Sequence, residues 1–115
     1  MEYNIKEQIK EEDAKKRWSE LLKDLGKSKF IQKKGKEYLW IDSNKYFARF
    51  CSFVKENMFY YSGHTIYPYF TPIFKKKDGS DFTNKQLGKN LVDYDCSPPS
   101  ARGDKFEEIL LKYKR

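Results

Sequence analysis

Ser43-Asn44-Lys45-Tyr46-Phe47-Ala48-Arg49-Phe50-Cys51-Ser52-Phe53-Val54-Lys55-Glu56-Asn57-Met58-Phe59-Tyr60-Tyr61 is the stretch that decides the fold. Phe47, Phe50, Cys51, Val54 and Met58 recur at i, i+3, i+4, i+7 and i+11, the spacing of one buried helical face. Tyr46, Phe53 and Tyr60 add apolar bulk on a second face. A helix this apolar must be covered on more than one side. The stretch therefore predicts a central helix over 43–61, with Ser43 as its N-cap. Lys45 and Arg49 share a polar face with Ser52.

Upstream lies a predicted β-hairpin over 28–42. Lys29-Phe30-Ile31-Gln32 and Glu37-Tyr38-Leu39-Trp40-Ile41 flank Lys33-Lys34-Gly35-Lys36, and Gly35 supplies the turn. Further upstream, Ile5, Ile9, Trp18, Leu21, Leu22 and Leu25 predict a helix over 5–25, ended by Gly26 as its C′ residue. The polarity of its first turns makes Met1–Lys10 a candidate mobile arm.

Downstream, Ser62-Gly63 reads as a turn. His64–Phe74 is β-rich, but Pro68 and Pro72 restrict it to an edge strand or an extended loop. Lys75–Ser80 reads as a turn. Thr83-Asn84-Lys85-Gln86 fits a capping box at the head of a short helix over 83–92. Leu87 and Leu91 face inward there, and Asn84, Lys85, Lys89 and Asn90 face out. Asp93–Gly103 reads as a loop stiffened by Pro98-Pro99. A last helix, capped by Asp104 with Glu107, buries Phe106, Ile109, Leu110 and Tyr113. The expected fold class is α+β: one basic domain over 1–115, with a small antiparallel sheet or hairpin packed on the apolar central helix.

The 115 residues suffice for one independent core, and 17% aromatic content does not fit a disordered basic tail. No run approaches the ~20 apolar residues of a membrane span, and Met1–Lys6 lacks the pattern of a secretory leader. Two cysteines, Cys51 and Cys96, make no disulfide framework and suit a reducing cytoplasm. Twenty Lys against four Arg, with three Ala and two Val, suggest an A/T-rich genome, phage or mobile element included.

The positive charge is unevenly placed. Residues 1–25 carry six bases against seven acids; the remainder carries 18 bases against 10 acids. The bases of the second part gather at Lys33, Lys34 and Lys36, at Lys75, Lys76 and Lys77, and at Lys85 and Lys89. Such clusters attract phosphate backbones whatever the sequence, because released counterions drive the binding.

Catalytic chemistry finds little footing. His64 is the single histidine, and with Cys51 and Cys96 it makes a poor zinc set. Cys51 lies on the apolar stripe, where a thiol is inert. Asp93 and Asp95 are too few for a metal nuclease, and no phosphate-cradling glycine loop is present. The expectation is a non-enzyme without metal or cofactor.

Phe82-Thr83-Asn84-Lys85-Gln86-Leu87-Gly88-Lys89-Asn90-Leu91 resembles the recognition-helix string of winged-helix DNA-binding domains in phage and plasmid replication proteins. The resemblance implies base reading by Asn84, Lys85, Lys89 and Asn90, since Asn pairs with adenine and Lys with guanine or phosphate. It implies a wing role for Lys33, Lys34 and Lys36, although a wing usually follows its recognition helix and this hairpin precedes it. The resulting expectation is a nucleic-acid-binding protein, DNA favoured over RNA. Lys33, Lys34, Lys36, Lys75, Lys76 and Lys77 then contact phosphate, with Arg49 beside them. The alternative is a non-catalytic inhibitor of a host nucleic-acid machine, using the same basic face on an acidic or nucleic-acid-binding protein.

Overall fold

A computed structural model describes residues 3–60, 63 and 65–115. Helix α1 spans Glu12–Lys27, strands β1 and β2 span Ile31–Lys34 and Glu37–Trp40, and helix α2 spans Asn44–Met58. Strand β3 (Phe74–Lys76) and helices α3 (Asn84–Asp95) and α4 (Ala101–Leu111) complete the α+β fold. Tyr61, expected as the last residue of the central helix, and the turn and strand positions Ser62 and His64 lie outside the described residues, as do Met1 and Glu2.

The stripe on α2 is the centre of the molecule. Phe47, Phe50, Cys51 and Val54 have no exposed surface, Met58 has almost none, and the second-face residues Tyr46 and Phe53 are buried too. Tyr60 is not: it lies beyond the helix, 67% exposed. The other fully buried rings, Trp40, Phe30, Phe70, Phe74 and Phe106, close around α2 from the sheet, the loops and α4. Trp40 keeps its one polar atom satisfied, its indole N–H donating to the Ser43 carbonyl at 3.0 Å. Ser43 holds the N-cap position but makes no side-chain cap bond.

The sheet has the order β1-β2-β3. β1 and β2 form the expected hairpin, Ile31 opposite Trp40 and Lys34 opposite Glu37, which leaves Gly35-Lys36 as a two-residue turn. Gly35 at φ +63° takes the first turn position, where only glycine is comfortable. The third strand differs from the antiparallel expectation. β3 runs parallel to β2, with Tyr38 beside Phe74 and Trp40 beside Lys76. The reason is topological: the chain leaves β2, crosses over through α2 and returns in the same direction.

Pro68 and Pro72 do not sit in a strand. Tyr67–Tyr69 form a 3-10 turn with proline at its start, and residues 70–73 are a further turn. Proline's fixed φ suits the opening of a helical turn. β3 is an edge strand that begins after Pro72 and includes Lys75 and Lys76, so the expected Lys75–Ser80 turn is confined to its second half.

Two helix ends also differ. The helix expected over 5–25 is split into a 3-10 turn at Ile5–Glu7 and α1. The described part of the expected arm is docked, not projecting. Ile5 and Ile9 are buried, and the Tyr60 N–H donates to the Gln8 carbonyl at 2.6 Å. At the far end, α1 runs past Gly26. Lys29 takes the left-handed conformation (φ +63°). The Lys29 N–H donates to Gly26 and the Phe30 N–H to Leu25, the two bonds of a Schellman ending. A side chain at that φ costs about 1–2 kcal/mol. Phe30 and Leu25, both fully buried, hold the motif closed despite the lysine.

Helix α4 starts three residues before the expected Asp104. Ser100 is the cap, its hydroxyl accepting from the Gly103 N–H at 3.0 Å. Phe106, Ile109, Leu110 and Tyr113 are buried as the spacing predicts. Among the described residues no helix is long and apolar enough to cross a membrane.

Candidate nucleic-acid interface

The hairpin register sorts the tip lysines. Side chains alternate along a strand. Ile31 and Trp40 are a buried cross-strand pair, so Lys33 and its partner Tyr38 occupy the same, core-facing side of the hairpin, farther toward the tip. Lys34, opposite Glu37, is on the outer side. Lys33, Lys34 and Lys36 are all exposed, and none forms an ion pair within 4 Å among the described residues.

Lys75, Lys76 and Lys77 are at the other end of the sheet. The parallel register sets Lys76 beside Trp40, three residues along β2 from the turn. That is about 10 Å of strand. Lys75 is already matched. Its ammonium is 2.7 Å from the Asp81 carboxylate and 3.3 Å from the Thr71 carbonyl, and its side chain is 18% exposed. Lys76 and Lys77 line a shallow depression with Asn44 and Asp78. The Ser80 hydroxyl and backbone N–H both donate to Asp78 and hold its carboxyl below the usual range.

Helix α3 forms as its capping signature predicts. The Thr83 hydroxyl accepts from the Gln86 N–H at 3.2 Å, Leu87 is fully buried, and the helix runs three residues past the expected end. Phe82, stacked on Phe47 at 4.2 Å, fixes its start against α2. Asn84, Lys85 and Lys89 are exposed. Lys85 and Lys89 are four residues apart and share one face. Asn90 departs from the expectation: it is half-buried, and its side-chain oxygen is sheltered without a hydrogen-bond partner.

Arg49 is held inside the fold. Its Nε and Nη2 each lie 3.3 Å from a Glu107 oxygen, and it packs against the Phe53 ring. Burial disfavours the charge, but Glu107 together with Tyr94 and Glu56 more than offsets it, and the guanidinium pKa is raised. It therefore joins α2 to α4, with its side chain 26% exposed.

One feature was not legible in the sequence. Trp18 and Leu22 of α1, Tyr38 of β2, and Tyr69 and Ile73 near the 3-10 turn line two adjoining depressions, of about 610 and 400 Å³. The larger also takes in Tyr3, Lys6 and Lys36; the smaller takes in Lys23 and Lys33. No acid among the described residues lines either one. The helical stripe of α1 identified Trp18 and Leu22 as inward-facing. The open groove they leave depends on how α1 meets the hairpin, a tertiary fact.

Cys51 is wholly buried, and burial pushes its thiol pKa well up, as expected for an inert core cysteine. Among the described residues no three His, Cys, Asp or Glu side chains gather as a metal site. No protein-family model, curated protein or solved structure matches the chain.

Proposed function

We propose that this protein binds nucleic acid, DNA in preference to RNA, through unneutralised lysines on its surface. The observation that supports this is the division among its cations. Lys15, Arg17, Arg49, Lys75, Arg102 and Lys112 each pair with an acid. Lys33, Lys34, Lys36, Lys76, Lys77, Lys85 and Lys89 form no ion pair within 4 Å among the described residues, although Glu37 stands opposite Lys34 and Asp78 lies near Lys76. Unmatched surface charge of one sign carries a cloud of counter-ions and binds a polyphosphate by exchanging them.

Two roles follow. The hairpin tip and the Lys76-Lys77 end of β3 grip phosphates. Helix α3 presents Asn84, Lys85 and Lys89 toward base edges, as the winged-helix resemblance suggests, with Asn90 a lesser contributor because it is half-buried. An origin in a phage or mobile element and a place in the cytoplasm belong to the same proposal. The competing reading, a non-catalytic inhibitor of a nucleic-acid machine, calls for an apolar docking face free of lysines. The groove beside Trp18 is instead bordered by them.

Chemical-shift mapping with a short DNA duplex tests the assignment. Shifts are expected at 33–36, 76–77 and 84–89. A footprint that includes the first two segments but avoids α3 removes the base-reading role. A footprint that avoids all three contradicts the proposal.

A further inference from the structure

We infer that the groove between α1 and the hairpin receives unpaired bases, so that the protein holds single-stranded nucleic acid by stacking as well as by charge. This deepens the nucleic-acid reading and rests on it. The first argument is the preparation of the rings. Tyr38 is stacked with an offset on the buried Phe74 ring, 5.3 Å between centroids and 22° between planes. It is half-buried and lines both depressions. One face is thus fixed on the core, and the ring is available as the next layer for a planar ligand. Trp18 is held similarly: Phe50, Phe70 and Phe74 pack behind it at 5.8, 6.4 and 6.2 Å, and its remaining surface lines both depressions. Rings immobilised before binding lose little entropy on binding.

The second argument is charge. Lys33 neighbours Tyr38 across the hairpin on the groove side, Lys36 follows it round the turn, and Lys6 and Lys23 border the groove from the N-terminal segment and α1. An aromatic groove alone fits many apolar or cationic ligands. One bordered by four lysines and no described acid repels cations. It favours a ligand that is planar where it enters and anionic where it leaves, the description of a nucleotide strand. The depressions also fall within the ~300–1,000 Å³ of small-ligand sites. In a duplex the base faces are covered by their neighbours. The groove therefore distinguishes an unpaired strand from a paired one, which the lysines alone do not.

Fluorescence reads this out, because Trp40 is fully buried and Trp18 is the half-exposed tryptophan. The full chain is titrated at low salt with an oligothymidylate of about 12 nucleotides, a typical single-strand site size. The duplex with its complementary oligoadenylate and inorganic polyphosphate are run in parallel. The expected result is quenching by the single strand, tighter binding of it than of the duplex, and no quenching by polyphosphate. Tyr38→Leu should weaken single-strand binding roughly 5- to 150-fold, the loss of one stacked base, and leave duplex binding unchanged. Tyr38→Phe should restore it. If duplex and single strand bind alike and Trp18 is silent, or if polyphosphate quenches equally, the stacking inference falls while electrostatic binding stands. If none of the nucleic acids binds, both fall. The titration of the unsubstituted protein decides the matter even if Tyr38→Leu does not fold.

Discussion

Phe50→Ala is expected to cost about 3–5 kcal/mol. A domain of this size has only about 6–17 kcal/mol in total, so the loss is a large part of its stability. Phe50 is fully buried, and its ring centroid lies 5.4 to 6.1 Å from those of Trp18, Trp40, Phe47, Phe70 and Phe74. Those rings come from α1, β2, α2 itself, the turn after Pro68 and β3. No single neighbour can move in to fill the space without leaving another contact. The substitution removes a side chain on which five segments meet. Thermal unfolding followed by circular dichroism checks this. At about 3–6 °C per kcal/mol, the midpoint should fall by at least 10 °C or so. An unchanged midpoint would mean that the α2 stripe is not the core.

Arg17→Met is expected to be the other severe substitution, at about 2–4 kcal/mol, because it leaves two part-buried carbonyls without a donor. The Arg17 guanidinium donates to the carbonyls of Asn57 at 2.9 Å and Tyr113 at 2.8 Å, and its Nε lies 2.8 Å from Asp13. It therefore ties the middle of the chain and the C-terminal segment to α1. The same seam carries a bond from the Arg115 N–H to the Asn57 side chain and one from the Tyr113 hydroxyl to Asp24. Burial and Asp24 together push the Tyr113 pKa up to about 12. Arg17→Lys should recover only part of the loss, since an ammonium placed where Nη1 reaches both carbonyls gives up the separate Nε bond to Asp13. Hydrogen exchange of the amides of residues 110–115 checks the mechanism. They should exchange faster in Arg17→Met. If their protection is unchanged, the seam does not depend on Arg17.

What the sequence revealed, and what it hid, follows from range. The α2 stripe, the Gly35 hairpin and the Thr83 cap are set by residues within a few positions of one another, and each is legible. The parallel placing of β3 is not, because it depends on a crossover through a helix. Nor is Lys29 as a helix terminator: the Schellman bonds form with a lysine at the left-handed position, between the fully buried Leu25 and Phe30. The basic clusters were legible as composition, but their standing was not. Arg49 and Lys75 look like free cations until Glu107, 58 residues away, and Asp81 are seen to meet them. Tyr38 reads as one residue of a strand. Its stacking on Phe74 and its place beside Trp18 appear only when three segments come together.

The measurement that bears most on the proposed function is the salt dependence of duplex DNA binding by the unsubstituted protein. Each phosphate contact contributes a slope of about −0.9 to log affinity against log salt. With the hairpin tip, the β3 end and α3 engaged, the slope should lie between about −4 and −6. Replacing Lys33, Lys34 and Lys36 by Gln should reduce its magnitude by about 2.7. An affinity that barely changes from low to moderate salt would contradict the account, because unmatched lysines would then not be what holds the ligand.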